Sequence, residues 1–205
     1  MSENHSLEKT SSNYHHGNLR QTLLSAAAEM IATNGIESLS LRKLADKVGV
    51  SRTAAYHYFQ DKNDLLCAIA ANGFRRWQHS LEQLNSDLMP QKQKFEQYVL
   101  SYIEFATTYP EEYELMFGRS IWKQANCTVE LQQISYATFQ HQVDMIEYWQ
   151  SAGLITGDNP LRMAQIIWGT LHGIAKLFID GVYTDVSRVE GIAISALPMF
   201  LVGEQ

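Results

Sequence analysis

Between Arg52 and Tyr58 the chain sets a guanidinium, a threonine hydroxyl, two phenols and an imidazole into one short run. The apolar residues there are Ala55 and Phe59, at i and i+4, so a helix buries one stripe and leaves Arg52, Thr53, Ala54, Tyr56, His57 and Tyr58 on its other side. That face suits the edges of base pairs. Arg52 can pair bidentately with guanine, worth roughly 1–3 kcal/mol of discrimination, and the methyl groups of Thr53 and Ala54 can meet a thymine methyl. Small side chains let the backbone approach, while Tyr56, His57 and Tyr58 are long enough to clamp phosphates.

Positioning such a helix requires neighbours, and the flanking sequence supplies them. Ser51 can cap it, Val50 tucks inward, and Gly49 ends a preceding helix in which Leu41, Leu44, Ala45 and Val48 fall at i, i+3, i+4 and i+7 behind a Ser40 cap. A first helix runs from about Gly17 through Leu19, Leu23, Ala27, Met30 and Ile31 to Asn34-Gly35, a helix-ending pair. The helix starts at Ser40 and at Asp61-Lys62 offer unpaired amides as phosphate seats, and Lys62 adds a point charge. A long helix follows, carrying Leu65, Leu66, Ile69, Phe74, Trp77, Leu81, Leu84 and Leu88, and ends before Pro90. Further helices are expected over 92–108, 111–122, 127–152, 160–180 and 186–201, with Pro160 at a first helical position after Asn159. The fold class is all-α, about nine helices, a three-helix head joined by a long helix to a bundle.

Net charge is −6, which sits poorly with a polyanionic partner until its distribution is considered. Residues 1–66 balance to zero and hold four histidines; the whole acidic excess lies beyond them. Cys67 and Cys127 lie far apart, outside any ligand pattern, and read as small buried hydrophobes. His15-His16 has no further ligands nearby, so no metal and no cofactor is expected. No stretch approaches the ~18 apolar residues of a membrane span. The first fifteen residues are polar, without the apolar core of a secretory leader, and read as a disordered segment of a cytoplasmic protein.

The stretch Ser40-Leu41-Arg42-Lys43-Leu44-Ala45-Asp46-Lys47-Val48-Gly49-Val50-Ser51-Arg52-Thr53-Ala54-Ala55-Tyr56-His57-Tyr58-Phe59-Gln60-Asp61-Lys62-Asn63-Asp64-Leu65-Leu66 closely resembles the DNA-binding domain of the TetR/AcrR family. Its Gly-Val-Ser turn, Tyr-x-x-Phe ending and Lys-x-x-Leu-Leu continuation are the most recognisable parts. The resemblance implies a helix-turn-helix domain over 16–77 and a ligand-sensing, dimerising domain over 78–205. It implies that Ser51, Arg52, Thr53, Ala54, Tyr56 and His57 face DNA while Tyr58 and Lys62 hold the backbone. Thr53 departs from the Gly or Pro of many members, and Ala55 from a larger aliphatic residue.

Further on, Tyr109-Pro110-Glu111-Glu112-Tyr113-Glu114-Leu115-Met116-Phe117-Gly118 and Trp168-Gly169-Thr170-Leu171-His172-Gly173 look like one subgroup of that family, the latter matching a Trp-x-x-x-His-Gly type of C-terminal domain. Trp168 and His172 are i, i+4 neighbours, as are Gly169 and Gly173, and glycines so spaced admit a second helix. A homodimer seam of Trp168, Gly169, His172 and Gly173 with Ile192, Ala196 and Phe200 is expected. The many aromatics of the middle helices are mostly core, with a cavity expected among them lined by Phe105, Met116, Trp122 and Met145. His172 with Glu147, or His141 with Asp144, lack a nucleophile elbow, paired cysteines or a phosphate loop, so no catalysis is expected. The partners implied are operator DNA, a second copy and a small effector that releases repression. The rival is a DNA-binding protein with an architectural or protein-partner role and no effector.

Overall fold

The computed structural model describes residues 19–84, 89–123 and 126–203; the expected lead-in 1–15 and Leu88 lie outside them. Among the described residues are ten α-helices, one of them a single turn, two short 3-10 turns and no strand. The chain divides into two compact units between Lys62 and Asn63, well ahead of residue 77. The reason is visible in α4 (Lys62–Glu82), where Trp77 packs on Tyr98, Tyr102 and Phe105, and Phe74 on Phe117. Its aromatic side chains belong to the larger unit's core.

In the smaller unit, α1 (Leu19–Asn34) buries Leu19, Leu23, Leu24, Ala27, Met30 and Ile31 on one stripe. A 3-10 turn, Ile36–Ser38, leads to α2 (Leu41–Val48), where the Ser40 Oγ accepts a hydrogen bond from the Lys43 N–H at 3.2 Å. Gly49 closes α2 in the left-handed region, φ +76°, and its N–H and that of Val50 both donate to the Ala45 carbonyl, at 2.9 and 3.0 Å. A residue with a Cβ would cost about 1–2 kcal/mol in that conformation. The turn delivers Ser51, whose Oγ accepts from the Ala54 N–H at 3.1 Å and starts α3 (Arg52–Tyr58).

The larger unit contains α5 (Gln91–Thr108), α6 (Pro110–Phe117), the single turn α7 (Arg119–Trp122), α8 (Val129–Ser151), α9 (Pro160–Ile179) and α10 (Val186–Ser195). Helix α5 is central, packing on α6, α9 and α10, while α8 lies along α9. Phe95 anchors one end of this core: its ring meets Trp149 edge-on at 5.2 Å, stacks on Tyr98 at 6.2 Å and meets Phe200 at 6.4 Å. Each such pair contributes about 0.5–1.5 kcal/mol beyond its buried area. Asn159 caps α9 through the Arg162 N–H at 3.0 Å, with Pro160 at the first turn as its missing N–H favours.

Three boundaries differ from the sequence reading. Helix α4 stops at Glu82, followed by a turn at 83 and 84, short of the expected end before Pro90. The expected 111–122 helix breaks at Gly118, where an extended backbone brings the Glu114 carbonyl oxygen so close that a Cβ would collide with it. The last helix stops at Ser195, since the ring of Pro198 would clash with a helical carbonyl four residues back; a 3-10 turn, Leu197–Met199, replaces the final turn. The chain then forms one antiparallel bridge, Thr156 N–H donating to the Phe200 carbonyl at 2.8 Å and Val202 N–H to that of Leu154 at 3.0 Å.

Candidate functional site

Helix α3 presents a two-faced surface. Ala55 and Phe59 are fully buried, and the Arg20 guanidinium lies over the Phe59 ring, 5.7 Å from its centre. Opposite them, Ser51, Arg52, Thr53, Tyr56 and His57 are exposed, and Ala54 and Tyr58 half-buried. The His57 and Tyr58 rings meet edge to face at 5.4 Å. Ser40 and Ser51 spend a lone pair each on capping, so each hydroxyl hydrogen remains for an outside acceptor such as a phosphate oxygen. Lys62 is half-buried and lies 3.9 Å from the exposed Glu37 carboxylate, too loose a pair to withdraw its charge from solution.

The larger unit holds a second feature, a partly open cavity of about 360 Å3. Phe74 and Trp77 of α4, Tyr102 of α5, Met116 and Phe117 of α6, Trp122 of α7, Ser135, Thr138, Phe139 and Gln142 of α8, and Gln165, Trp168 and His172 of α9 line it. Its wall is mostly aromatic, and its polar groups are tied down from behind. The Tyr113 hydroxyl bridges the Tyr102 hydroxyl at 2.8 Å and His172 Nδ1 at 2.7 Å. One end of the Gln142 amide meets the Tyr98 hydroxyl at 3.1 Å, and Thr138 Oγ1 donates to the Ile134 carbonyl at 2.8 Å. Burial raises the Tyr98, Tyr102 and Tyr113 phenols above their ordinary range, so all stay protonated. Burial also holds the His172 imidazole below its usual range; Glu114 pulls it up and Lys176 pushes it down. The walls carry no formal charge at neutral pH.

The expected residues fall unevenly on these features. Met116 and Trp122 line the cavity, whereas Phe105 is buried against Trp77 and Tyr109, and Met145 borders a separate hollow of about 220 Å3 with His141, Asp144 and Tyr148. The seven residues of the expected seam separate. Trp168 and His172 turn into the cavity, Ala196 and Phe200 are buried in their own chain's core, and Gly169, Gly173 and Ile192 are exposed. Cys67 is buried but Cys127 is half-buried. Glu147 is exposed on α8, while His172 pairs with Tyr113. Sequence reasoning missed Gln142 and Thr138. Their signal was available: two polar residues at i, i+4 among Leu131, Ile146 and Trp149 on the buried stripe of α8.

Two family models match, one described as bacterial regulatory proteins, tetR family, over residues 23–69, and one as tetracyclin repressor-like, C-terminal domain, over 95–194. The chain is 22% identical over 156 residues to the HTH-type transcriptional regulator RutR of Escherichia coli K12, covering 76% of this chain and 73% of RutR. Over 51 residues the chain is 41% identical to the HTH-type transcriptional repressor AcnR of Corynebacterium diphtheriae, 25% of this chain and 27% of AcnR. A solved structure of a protein with unknown function from Rhodococcus sp. RHA1 superposes with a TM-score of 0.77 at 31% identity, covering 91% of this chain and 97% of that one. No helix among the described residues is long and apolar enough to cross a membrane. The two matched models together span well over half of the chain, one on each compact unit, and the chain belongs to the TetR family of DNA-binding transcriptional regulators.

Proposed function

We propose that this regulator is a homodimeric repressor that reads its operator with α3 and leaves it when a small, largely apolar effector enters the aromatic cavity. The observation that carries the effector half is the 360 Å3 cavity itself, with a mostly aromatic wall and a few anchored polar groups. A purely architectural DNA-binding protein has no need of it. Phe74 and Trp77 link the cavity to the operator-reading head through continuous helix, since both sit on α4, whose first residue is Lys62. An effector that favours one α4 position over another changes operator affinity severalfold to a hundredfold for a coupling of about 1–3 kcal/mol.

Reading follows the exposed face of α3: Arg52, Thr53 and Ala54 at base edges, Tyr56, His57, Tyr58, Ser40, Ser51 and Lys62 at the backbone. A second copy covers α9 and α10. Ile166, Gly169, Gly173 and Leu177 form one exposed stripe along α9, and a Cβ at either glycine would meet nothing within 4 Å in the single chain. Exposed Ile192 extends the apolar surface onto α10. The Trp168-x-x-x-His172-Gly173 element then serves two surfaces, its ring residues the cavity and its glycines the dimer. The place of work is the cytoplasm, with the chromosome.

Selection of bound sequences from random DNA, followed by a screen of apolar compounds for release of the selected operator, tests both halves. Arg52→Ala is expected to relax preference at one base position, whereas Lys62→Ala weakens all sequences alike and lowers the salt slope by about one. Uniform loss for Arg52→Ala would refute its role. An operator affinity that no apolar compound alters would refute the effector half.

A further inference from the structure

Resting on the effector reading above, we infer that the cavity takes an uncharged hydroxyarene, a flat ligand of about two fused rings bearing a hydroxyl that meets the inward end of the Gln142 amide. Three observations converge on this class. The first is shape and surface: Trp77, Phe117, Phe139 and Trp168 offer ring faces and edges, and about 360 Å3 is more than twice the roughly 150 Å3 that admits benzene. The second is charge. Among the described residues no carboxylate, ammonium or guanidinium lines the cavity, so a charged ligand would surrender hydration without a counter-ion.

The third is the polar anchor. Gln142 is 6% exposed, one end of its amide is held by the Tyr98 hydroxyl, and the other has no protein partner among the described residues and borders the cavity. Whichever way the amide is turned, that end needs a hydrogen bond. A hydroxyl can donate to the carbonyl oxygen or accept from the amino group, so it satisfies either orientation. His172 stands on the facing helix with Nδ1 tied to Tyr113, which leaves Nε2 for the ligand's other polar contact.

The test uses the full-length protein and three probes of one shape: 2-naphthol, naphthalene and 2-naphthoate. Quenching of tryptophan fluorescence reports binding, because Trp77, Trp122 and Trp168 line the cavity. The expected order is 2-naphthol about tenfold tighter than naphthalene, from one added hydrogen bond to a buried partner, with 2-naphthoate not binding where 2-naphthol saturates. Gln142→Leu is expected to bring 2-naphthol within about twofold of naphthalene. The ranking on the unsubstituted protein stands even if that variant unfolds. Equal affinity for 2-naphthol and naphthalene, preferred binding of 2-naphthoate, or binding of none of the three overturns the hydroxyarene class. Binding of 2-naphthoate with release of operator would overturn the class while leaving the effector reading intact, which separates the two.

Discussion

Tyr113→Phe removes one oxygen from the larger unit, and its cost follows from what that oxygen holds. The Tyr113 hydroxyl bonds two partners, the Tyr102 hydroxyl at 2.8 Å and His172 Nδ1 at 2.7 Å, so the substitution deletes two hydrogen bonds, each worth about 1 kcal/mol net. Tyr102 is 2% exposed but keeps the Trp168 indole as a partner for its hydroxyl, and half-buried His172 can turn to water, so neither is stranded. The expected loss is about 2 kcal/mol. Tyr102→Phe deletes the shared bond and leaves Tyr113 still tied to His172, for about 1 kcal/mol. Urea unfolding followed by circular dichroism, at one fixed protein concentration because a dimer's stability depends on it, measures both. The double variant should cost about as much as Tyr113→Phe alone, or less, since the two changes share a bond. Tyr102→Phe costing as much as Tyr113→Phe would refute the bridging role, and additive costs would refute the coupling.

Other expectations concern the head, pH and assembly. Gly49→Ala places a Cβ at φ +76° and should lower thermal stability of the head by about 1–2 kcal/mol, with operator affinity falling alongside; an unchanged melting curve would count against the left-handed turn. Burial depresses the folded-state pKa of His172, so the unfolded chain binds more protons below its ordinary value of 6.5. Its contribution is therefore fully present above that pH and is lost as pH falls towards the depressed folded value, a slope that His172→Gln should remove. Glu112 titrates with the opposite sign at lower pH, its buried carboxyl raised despite Arg76, so the His172 effect is read as the difference between the two proteins. A Cβ at exposed Gly173 would meet nothing within 4 Å in its own chain, so Gly173→Arg should leave the monomer folded and shift sedimentation towards single chains; an unchanged dimer would place the interface elsewhere.

The head was legible because its rules are local. Ser40, Gly49 and Ser51 are residues whose own chemistry dictates a cap or a left-handed turn, and Ala55 and Phe59 are the only apolar residues α3 has to bury. The break at Gly118 was not legible from helical periodicity, since Ile121 continues the apolar pattern across it and the obstruction comes from the Glu114 carbonyl. That Trp168 and His172 line the cavity was hidden for a related reason. Their i, i+4 spacing puts them on one face of α9, but whether that face meets a partner copy or the chain's own α6 and α8 depends on the bundle; Phe117 and Phe139, which touch Trp168, lie far away in sequence. The glycines one position on face the other way and stay exposed. Phe105 and Met116 illustrate the same limit: both are buried core residues, and only packing decides which borders the cavity.

The size of the cavity also constrains how the protein can be using it. The cavity is partly open, so water can enter its roughly 360 Å3, and the aromatic wall there forgoes the packing contacts it would have in a closed core. A core that needed only to be stable would have closed around Phe74, Trp77 and Phe139, since protein interiors pack without voids. Gln142, Thr138 and His172 oppose that closure, because collapse would press their polar atoms against aromatic faces without hydrogen bonds. Those groups let water share the volume, while the aromatic wall gains nothing from water. A ligand that replaces the water with ring contacts and keeps the hydrogen bonds recovers stability that the fold gives up, about 2.7 kcal/mol at a hundred times its Kd. A compound that releases operator through this cavity should therefore also raise the melting temperature of the larger unit. One that releases operator without raising it would be acting somewhere else.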